Sequence, residues 1–378
     1  MGRRGNNEGS IRQRGERWEA RLTLGYVQGR YTRVSFYGAT RGEAQRLLTQ
    51  ALREHQQGLP VTDTRLTVGT YLARWLADTH KPSVRPLTYR RDEQIVRLHL
   101  LPELGRTRLT KLTPDQVQHL LNAKLESGLS ACSCWHIHAV LRTALNHALR
   151  WGLIPRNVAS LTRPPRVPKA EIKPFDPTEA RAFLEAARGH RLEAVFVLAM
   201  ATGLRQGELL GLRWEDVDLE AGTLAVRHAL QVIGRVSTLV EPKSLTSRRT
   251  IVLPAIAVSA LKSHRQRQVQ ERLAAGPGWV EGDFVFASSR GRPLAPSWVY
   301  RSFKKVLKDD DMRDIRFHDL RHTTATLLLV QGVSPRVAMQ MLGHSQVSLT
   351  LNTYSHCVPG LLEDAAERLD AVLTARER

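Results

Sequence analysis

The chain has 378 residues, 42% of them hydrophobic, which allows about two or three domains with real cores and excludes wholesale disorder. Lysine plus arginine exceed aspartate plus glutamate by 56 to 36, and the formal net charge is +20. This surplus indicates a polyanionic partner, most commonly nucleic acid, with a basic membrane-surface protein as the alternative. The sequence shows neither an apolar run of roughly 18 residues nor an opening signal-peptide pattern, so we expect a cytoplasmic protein with no membrane partner.

Residues 1–58 have the pattern of a small three-stranded sheet followed by a helix. Apolar and polar residues alternate over 18–24 and again over 31–37, with a turn expected at 25–29. A helical pattern then reaches about Gln56. The segment carries 11 arginines against 5 glutamates, which suits a sheet that lies in a DNA major groove, although a solvated basic module is the simpler alternative. The candidate DNA-binding residues are Arg12, Arg14, Arg17, Arg21, Arg30 and Arg33.

Residues 66–162 have the pattern of a compact domain of about four helices. Thr113 and Gln116 form a capping box with proline at the first helical position. A long helix is predicted over 131–151, ahead of a glycine that ends it. The tryptophans expected in the core of this domain are Trp75, Trp135 and Trp151.

Cysteine and histidine alternate on that long helix, at Cys132, Cys134, His136 and His138. Residues two apart on a helix face different directions, so these four side chains do not suit one zinc ion. The chain has 3 cysteines, too few for a disulfide framework. We therefore predict no metal site.

Residues 163–173, RPPRVPKAEIK, form a proline-rich basic segment that predicts an extended linker. A protein that closes round a DNA duplex needs such a strap, although most linkers of this composition are only spacers. From residue 174 onward the pattern is mixed α and β. Strands are expected at 223–231, 235–241, 249–253 and 283–287. The predicted fold class is multidomain and mainly α with small β-sheets.

Four segments of this last region place chemically active side chains at chain breaks, where helix packing does not require them. The first is ATGLRQGELLGLRW, in which Gly203 suits a left-handed helix end. Arg205 follows between two predicted helices, with Glu208 one helical turn on to orient its guanidinium. The second is EPKSLTSRRTIVLP, in which Lys243 lies at a predicted hairpin tip. Alone, each of these cations reads as an ordinary surface residue.

The third segment is FHDLRH, in which His318 and Arg321 share one face of a predicted helix. The fourth is MLGHSQVSLTLNTYSH, in which His344 follows a helix end at Gly343 and Tyr354 comes shortly afterwards.

The ordered set of these residues resembles the active site of tyrosine recombinases of the phage integrase family. The sequence motifs ATGLR-x-GE, HDLRHT, LGHS and TY match the pattern of that family. The resemblance covers nearly the whole chain, and it implies an arm-site DNA-binding domain at 1–58, a SAM-like core-binding domain at 66–162 and a catalytic domain of tyrosine-recombinase type at 174–378. The implied catalytic residues are Arg205, Lys243, His318, Arg321, His344 and Tyr354, with Glu208 in support.

The resemblance implies a site-specific recombinase that cleaves and rejoins DNA through a 3′-phosphotyrosyl intermediate and a Holliday junction. Such an integrase inserts or excises a mobile element, for example a phage genome, and needs no cofactor, ATP or metal. Its implied partners are double-stranded DNA with core-type and arm-type attachment sites, further copies of itself in a tetramer, an excisionase and a host DNA-bending protein.

Two alternatives to a recombinase remain open, a type IB topoisomerase and a catalytically silent DNA-binding protein. The arm-like module at 1–58 and the complete catalytic set weigh against them. An amphipathic helix is also predicted over 359–374, and the sequence leaves open whether it packs on its own domain or on a neighbouring protomer.

Overall fold

The computed structural model describes residues 9–27, 30–56, 65–168, 173–234, 236–241 and 248–343, together with residues 370, 373 and 374; the side chains of 24–32 and 54–56 are not described. The chain divides into two compact units, Met1–Lys169 and Ala170–Arg378, and the boundary falls inside the linker predicted at 163–173. None of the helices in the described ranges is long and apolar enough to cross a membrane.

The first unit begins with an antiparallel sheet and a helix that covers one of its faces, as predicted. The elements are β1 (Ser10–Arg14), β2 (Arg17–Val27), β3 (Arg30–Gly38) and α1 (Arg41–Gln56). Ala20, Leu22 and Phe36 point from the sheet into a small core against α1. The turn expected at 25–29 is shorter than predicted, because β2 continues past a bulge and the ladder pairs Val27 with Arg30.

The rest of the first unit is helical, in four stretches as predicted. The first two stretches each contain a five-residue π-helical turn, Leu76–His80 and Val96–Leu100. The α-helical segments are α2 (Val68–Trp75), α3 (Lys81–Ser83), α4 (Pro86–Ile95), α5 (Leu101–Leu104), α6 (Pro114–Glu126) and α7 (Ala131–Arg150). The capping box of α6 forms between Thr113 and Gln116.

The three tryptophans predicted in the core of this domain differ in burial. Trp75 is fully buried, but Trp135 is 45% exposed and Trp151 is 39% exposed, so the prediction of three core tryptophans is wrong for two of them. Helix α7 packs through Ile137, Leu141 and their neighbours, which leaves Trp135 on its outer side. Trp151 follows the last residue of α7 as its C-cap, at the rim of the core.

The second unit combines helices with two small antiparallel sheets. Its helices are α8 (Pro177–Ala186), α9 (Glu193–Thr202), α10 (Gln206–Leu210), α11 (Ala255–Ala275), α12 (Pro296–Asp309), α13 (Asp319–Val330) and α14 (Pro335–Leu342). Its strands are β4 (Val217–Asp218), β5 (Thr223–Val226), β6 (Ala229–Ile233), β7 (Val236–Val240) and β8 (Arg249–Val252). One sheet has the order β4-β5-β8, and the other is the hairpin β6-β7.

Two of the four predicted strands are wrong in detail. The strand expected at 223–231 is two strands, β5 and β6, which belong to different sheets. The strand expected at 283–287 forms only isolated bridges, between Phe284 and Arg213 and between Ala287 and Pro293. An apolar run therefore predicted burial correctly there, but burial against helices does not require a continuous ladder.

Helix α9 is the buried central helix of the second unit. Its C-terminal end is the point where the candidate catalytic residues described below meet. Nearly all its residues are buried, and Phe196 packs among the rings of Phe183, Phe303 and Phe317. The helix ends at Gly203, whose φ of +61° is left-handed and therefore favours glycine. Helices α10, α11 and α13 all pack against α9.

Candidate active site and DNA-binding face

Arg205 is held at the junction between α9 and α10. It is the N-cap of α10, and Glu208 accepts hydrogen bonds from its main-chain N at 3.2 Å and from its Nη1 at 2.7 Å. The Nη2 of Arg205 donates to the carbonyl oxygen of Gly343 at 3.2 Å. The Arg205 side chain is 41% exposed while the Glu208 side chain is 4% exposed. A buried carboxylate thus orients a guanidinium that still faces outward.

Arg321 approaches the same junction from α13. Its side chain is almost fully buried, and its Nη1 donates to the carbonyl oxygen of Gly203 at 2.7 Å. The hydroxyl of Thr324 on the same helix donates to the carbonyl oxygen of Met200 at 2.8 Å. The hydroxyl of Thr323 accepts from the main-chain N of Phe175 at 3.0 Å. Polar groups therefore fix α13 against the end of α9, and the carbonyl that Arg321 contacts, that of Gly203, lies two residues before Arg205 in the sequence.

His318 is the N-cap of α13, and it is exposed at the surface although protein atoms crowd its ring. Burial lowers the pKa of the His318 imidazole below its usual 6.5, and the positive charge of Arg321 lowers it further. Its ring contacts the ring of His322 edge-to-face at 5.2 Å between centroids. His322 is half-buried, and burial lowers its pKa to about 4. A neutral His318 can accept a proton at neutral pH.

Arg249 is the residue of the site that sequence reasoning missed. It begins β8, and its side chain is 6% exposed. Its Nη2 donates to Glu208 at 3.1 Å, and its Nε donates to the carbonyl oxygen of Met341 at 2.7 Å. Burial lowers the pKa of the Arg249 guanidinium, and the adjacent Glu208 carboxylate partly offsets this. A signal was available, because Arg249 has the same strand parity as the buried Ile251, and an inward arginine requires an acid.

Glu208 therefore lies between two guanidinium groups. Its burial disfavours the charged carboxylate, but the charges of Arg249 and Arg205 outweigh that effect and lower its pKa below the usual value. The carboxylate, Arg205, Arg249 and the end of α14 form one hydrogen-bonded network, in which the carbonyl groups of Met341 and Gly343 are the acceptors on α14. We call this group the Glu208 network.

Three predicted catalytic residues, Lys243, His344 and Tyr354, lie outside the described residues. So does most of the helix predicted at 359–374, of which residues 370, 373 and 374 are described and helical. The continuous described stretch 248–343 ends at Gly343, whose carbonyl oxygen belongs to the Glu208 network and which is the residue before His344 in the sequence.

The N-terminal sheet places its arginines on the face opposite α1. In the ladder Arg12 pairs with Glu19 and Glu19 with Tyr37, so alternate residues on neighbouring strands share a face. This basic face carries Arg12, Arg14, Arg17, Arg21 and Arg33. The sixth predicted residue, Arg30, pairs with Val27 in the ladder, and its side chain is outside the description.

One acidic residue lies at the centre of this basic face. Glu19 accepts hydrogen bonds from Arg12 Nε at 2.7 Å, from Arg21 Nη2 at 3.1 Å and from the Tyr37 hydroxyl at 3.1 Å. The hydrogen bond from Arg12 is the largest cause that lowers the pKa of the Glu19 carboxyl, to about 2. The acid thus fixes the directions of two arginines that remain exposed to solvent.

The alternating cysteine and histidine side chains on α7 do not all face the same side of the helix. Cys134 and His138 are buried, whereas Cys132 is exposed. His138 Nε2 lies 2.8 Å from the carbonyl oxygen of Ala159, which gives this imidazole a structural role. Within the described ranges no group of three or more histidine, cysteine, aspartate or glutamate side chains is arranged to hold a metal ion.

Together these features suit chemistry on a phosphodiester. Fixed guanidinium groups beside a neutral histidine stabilise the charge that develops on a phosphate during transfer. Comparison with known proteins agrees with this class. The family model described as the phage integrase family matches residues 173–359, and the model of the N-terminal SAM-like domain of phage integrases matches residues 67–125.

Similar proteins match over most of their length. A protein named tyrosine recombinase XerC-like from Caldanaerobacter subterraneus subsp. tengcongensis is 32% identical over 375 residues, covering 94% of this chain and 96% of the relative. An integrase from Streptomyces ambofaciens is 30% identical over 390 residues, covering 98% and 97%. The chain belongs to the phage integrase family of tyrosine recombinases, and its function is site-specific recombination of DNA. This membership does not favour the topoisomerase or the silent DNA-binding protein.

Solved structures show the same fold. The Tn1549 transposon integrase in complex with transposon right end DNA superposes with a TM-score of 0.68 at 23% identity, covering 81% of this chain and all of that one. A lambda integrase dimer bound to a core site gives a TM-score of 0.60 at 21% identity, covering 93% and 96%. The predicted fold class is confirmed.

Proposed function

We propose that this chain is an integrase that cuts and rejoins DNA strands through a 3′-phosphotyrosyl bond at Tyr354 and a Holliday junction, and so moves a mobile element into or out of a genome. The observation that carries the proposal is the pair of arginines at the end of α9. Arg321 donates to the carbonyl of Gly203, and Arg205 begins the next helix two residues later. Two guanidinium groups on one helix end suit the non-bridging oxygens of a single phosphate.

In the proposed cleavage step the phenolic oxygen of Tyr354 attacks phosphorus and the bond from phosphorus to the 5′ oxygen breaks. His318 accepts the phenolic proton, which its lowered pKa permits because the imidazole is neutral near pH 7. Lys243 gives a proton to the departing 5′ oxygen, and His344 donates a hydrogen bond to the phosphate. Arg205 and Arg321 stabilise the additional negative charge of the transition state.

Rejoining reverses these transfers with a different strand. A 5′-hydroxyl attacks the phosphotyrosyl phosphorus, and the tyrosine leaves as the phenol. One phosphodiester is exchanged for another through an ester of similar energy, so we propose that neither ATP nor a metal ion is needed.

The proposed partners follow from the basic face and from related proteins. The arginines of the N-terminal sheet suit an arm-type site, because a two- or three-stranded sheet fits a major groove. The lambda integrase bound to a core site supports a core-type site for the second unit and the helical domain. We further propose a tetramer on DNA, an excisionase and a host bending protein as partners, and the cytoplasm as the place of action.

The test is the trapping of a covalent adduct. The purified full chain is incubated in chelator, without ATP, with nicked duplexes that tile the genomic flanks of its gene. A nick close to the cleavage position lets the short product leave, so the adduct accumulates. We expect a DNA–protein adduct that maps to Tyr354, and no adduct from the variant Tyr354→Phe with DNA binding retained. An adduct of normal yield from Tyr354→Phe would contradict the proposal.

A further inference from the structure

The Glu208 network contains one more cation than the orientation of Arg205 requires. Glu208 already accepts two hydrogen bonds from Arg205, one from the main chain and one from the guanidinium. Arg249 adds a second guanidinium to the same carboxylate at 3.1 Å. Removing an arginine side chain from water to 6% exposure costs free energy, which the fold must recover in some other way.

Charge balance supplies a reason for Arg249. A pair of Arg205 and Glu208 alone has no net charge, so the carboxylate would cancel much of the attraction between Arg205 and a DNA phosphate. With Arg249 on the other side of the carboxylate, the three side chains together carry a net charge of about +1. The carboxylate can then orient Arg205 without neutralising it.

The position of Arg249 also serves the chain that precedes His344. Its Nε donates to the carbonyl oxygen of Met341, near the C-terminal end of α14. A Cβ atom placed on Gly343 would lie 2.7 Å from Arg249 Nη1, so the helix end packs directly on the guanidinium. Gly343 also has a φ of +67°, which independently favours glycine at this position.

We infer that Arg249 is a positioning residue of the recombination reaction, which balances the charge of Glu208 so that Arg205 keeps its full attraction for the scissile phosphate, and which holds the end of α14. This inference rests on the proposed function. Arg249 lies on the far side of the carboxylate from Arg205, and it acts on the phosphate through Arg205. It is therefore distinct from Arg205 and Arg321, the two arginines that we propose contact the phosphate.

The experiment measures the rate of adduct formation with the nicked duplex that the wild-type chain cleaves, together with its dissociation constant for that duplex. We expect Arg249→Met to slow cleavage by about 10–100-fold, the range typical of residues that orient a reactive group, with affinity changed by less than about threefold. Arg249→Lys keeps the charge, and it should cleave within about fivefold of the wild-type rate. Arg272→Met is the matched control, because Arg272 pairs with Glu281 at the surface.

A double variant separates charge balance from mechanical support. Glu208→Gln combined with Arg249→Met restores a net charge of about +1, so we expect it to cleave about tenfold faster than Arg249→Met alone. Independent structural defects would instead add and make the double variant slower than either single one. A slower double variant, a wild-type rate for Arg249→Met, or a loss in Arg249→Lys as large as in Arg249→Met overturns the inference. Absence of an adduct from the wild-type chain overturns the proposed function instead.

Discussion

The chain uses the same arrangement twice, a glutamate between two arginines, in two regions with different exposure. On the N-terminal sheet Glu19 holds Arg12 and Arg21, whose side chains are 55% and 31% exposed. In the Glu208 network the outer arginine, Arg205, is 41% exposed, but the inner one, Arg249, is 6% exposed.

The comparison shows that the same arrangement of ion pairs has a different role when one of its arginines is buried. On the sheet both arginines face solvent, so solvent screens the pairs and the acid mainly sets directions. Both carboxylates are buried, but in the network one arginine is interior as well, so water does not replace its charge beside the carboxylate when it is removed. We therefore expect substitutions on the sheet to change DNA affinity by graded amounts, and substitutions at the active site to change the rate of chemistry sharply.

The largest effect is expected for Arg321, one of the two arginines that we propose contact the scissile phosphate. Arg321→Lys should slow cleavage of the nicked duplex by about 100–1000-fold, because an ammonium replaces a bidentate donor at the phosphate. Binding to an arm-type duplex should not change. The readouts are single-turnover adduct formation and a gel-shift titration, with a thermal melt to show that the variant is folded. A cleavage rate within threefold of wild type would break the contrast between the two regions.

Deletion of residues 1–58 tests the other side of the comparison. The truncated chain should lose arm-type binding by on the order of 100-fold or more, because at least five arginines leave together. A plot of log affinity against log salt should become shallower by about 0.9 for each phosphate contact removed. Cleavage of an isolated core-type duplex should remain. Loss of that cleavage would show that the N-terminal module is not separable in function.

Glu19→Gln gives a smaller and more specific effect. The variant weakens the charge-assisted hydrogen bonds that fix Arg12 and Arg21, and it removes one negative charge from the face. We expect the ratio of arm-type to random-sequence affinity to fall by about tenfold, with random-sequence binding somewhat tighter. Competition titrations with both duplexes measure the ratio. An unchanged ratio would mean that the arginine directions do not matter for recognition.

The smallest effect is expected from pH. Between pH 8 and pH 6.5 cleavage should change by less than about threefold from His318, because its pKa is below 6.5 and the imidazole stays neutral. As pH falls through that lowered pKa, His318 gains a proton and cleavage should decline. The positively charged neighbours Arg321, Arg205 and Arg316 oppose protonation, whereas Asp319 favours it. Arm-type binding should not respond over this range from Glu19, whose pKa is about 2.

Local patterns predicted the ends of helices well. Left-handed glycines end α9 and α14 as predicted, and the capping box of α6 forms as its sequence indicates. These features depend on residues within one turn of one another, so the sequence contains all the information needed. The period of two, which the backbone fixes, likewise puts the five described arginines of the sheet on one face.

Features that depend on distant partners were not predicted. Arg249 is explained only by Glu208 and Met341, which are 41 and 92 residues away in the sequence. The exposure of Trp135 depends on which side of α7 meets the other helices, and side-chain size alone misjudged it. The isolated bridges of residues 284 and 287 depend in the same way on tertiary packing.

Helix α13 has one further consequence for how the site is assembled. Its apolar side chains pack in hydrophobic clusters, but it also contacts its neighbours through directional hydrogen bonds. Thr323 accepts from Phe175, Thr324 donates to Met200 and Arg321 donates to Gly203. An aliphatic surface can slide along a neighbouring helix by small steps at little cost, whereas directional bonds are all lost when the helix shifts by one residue. Helix α13 therefore has one position along its axis in which all these hydrogen bonds form, and in that position Arg321 reaches Gly203. A shift along the axis would leave several buried donors and acceptors unsatisfied.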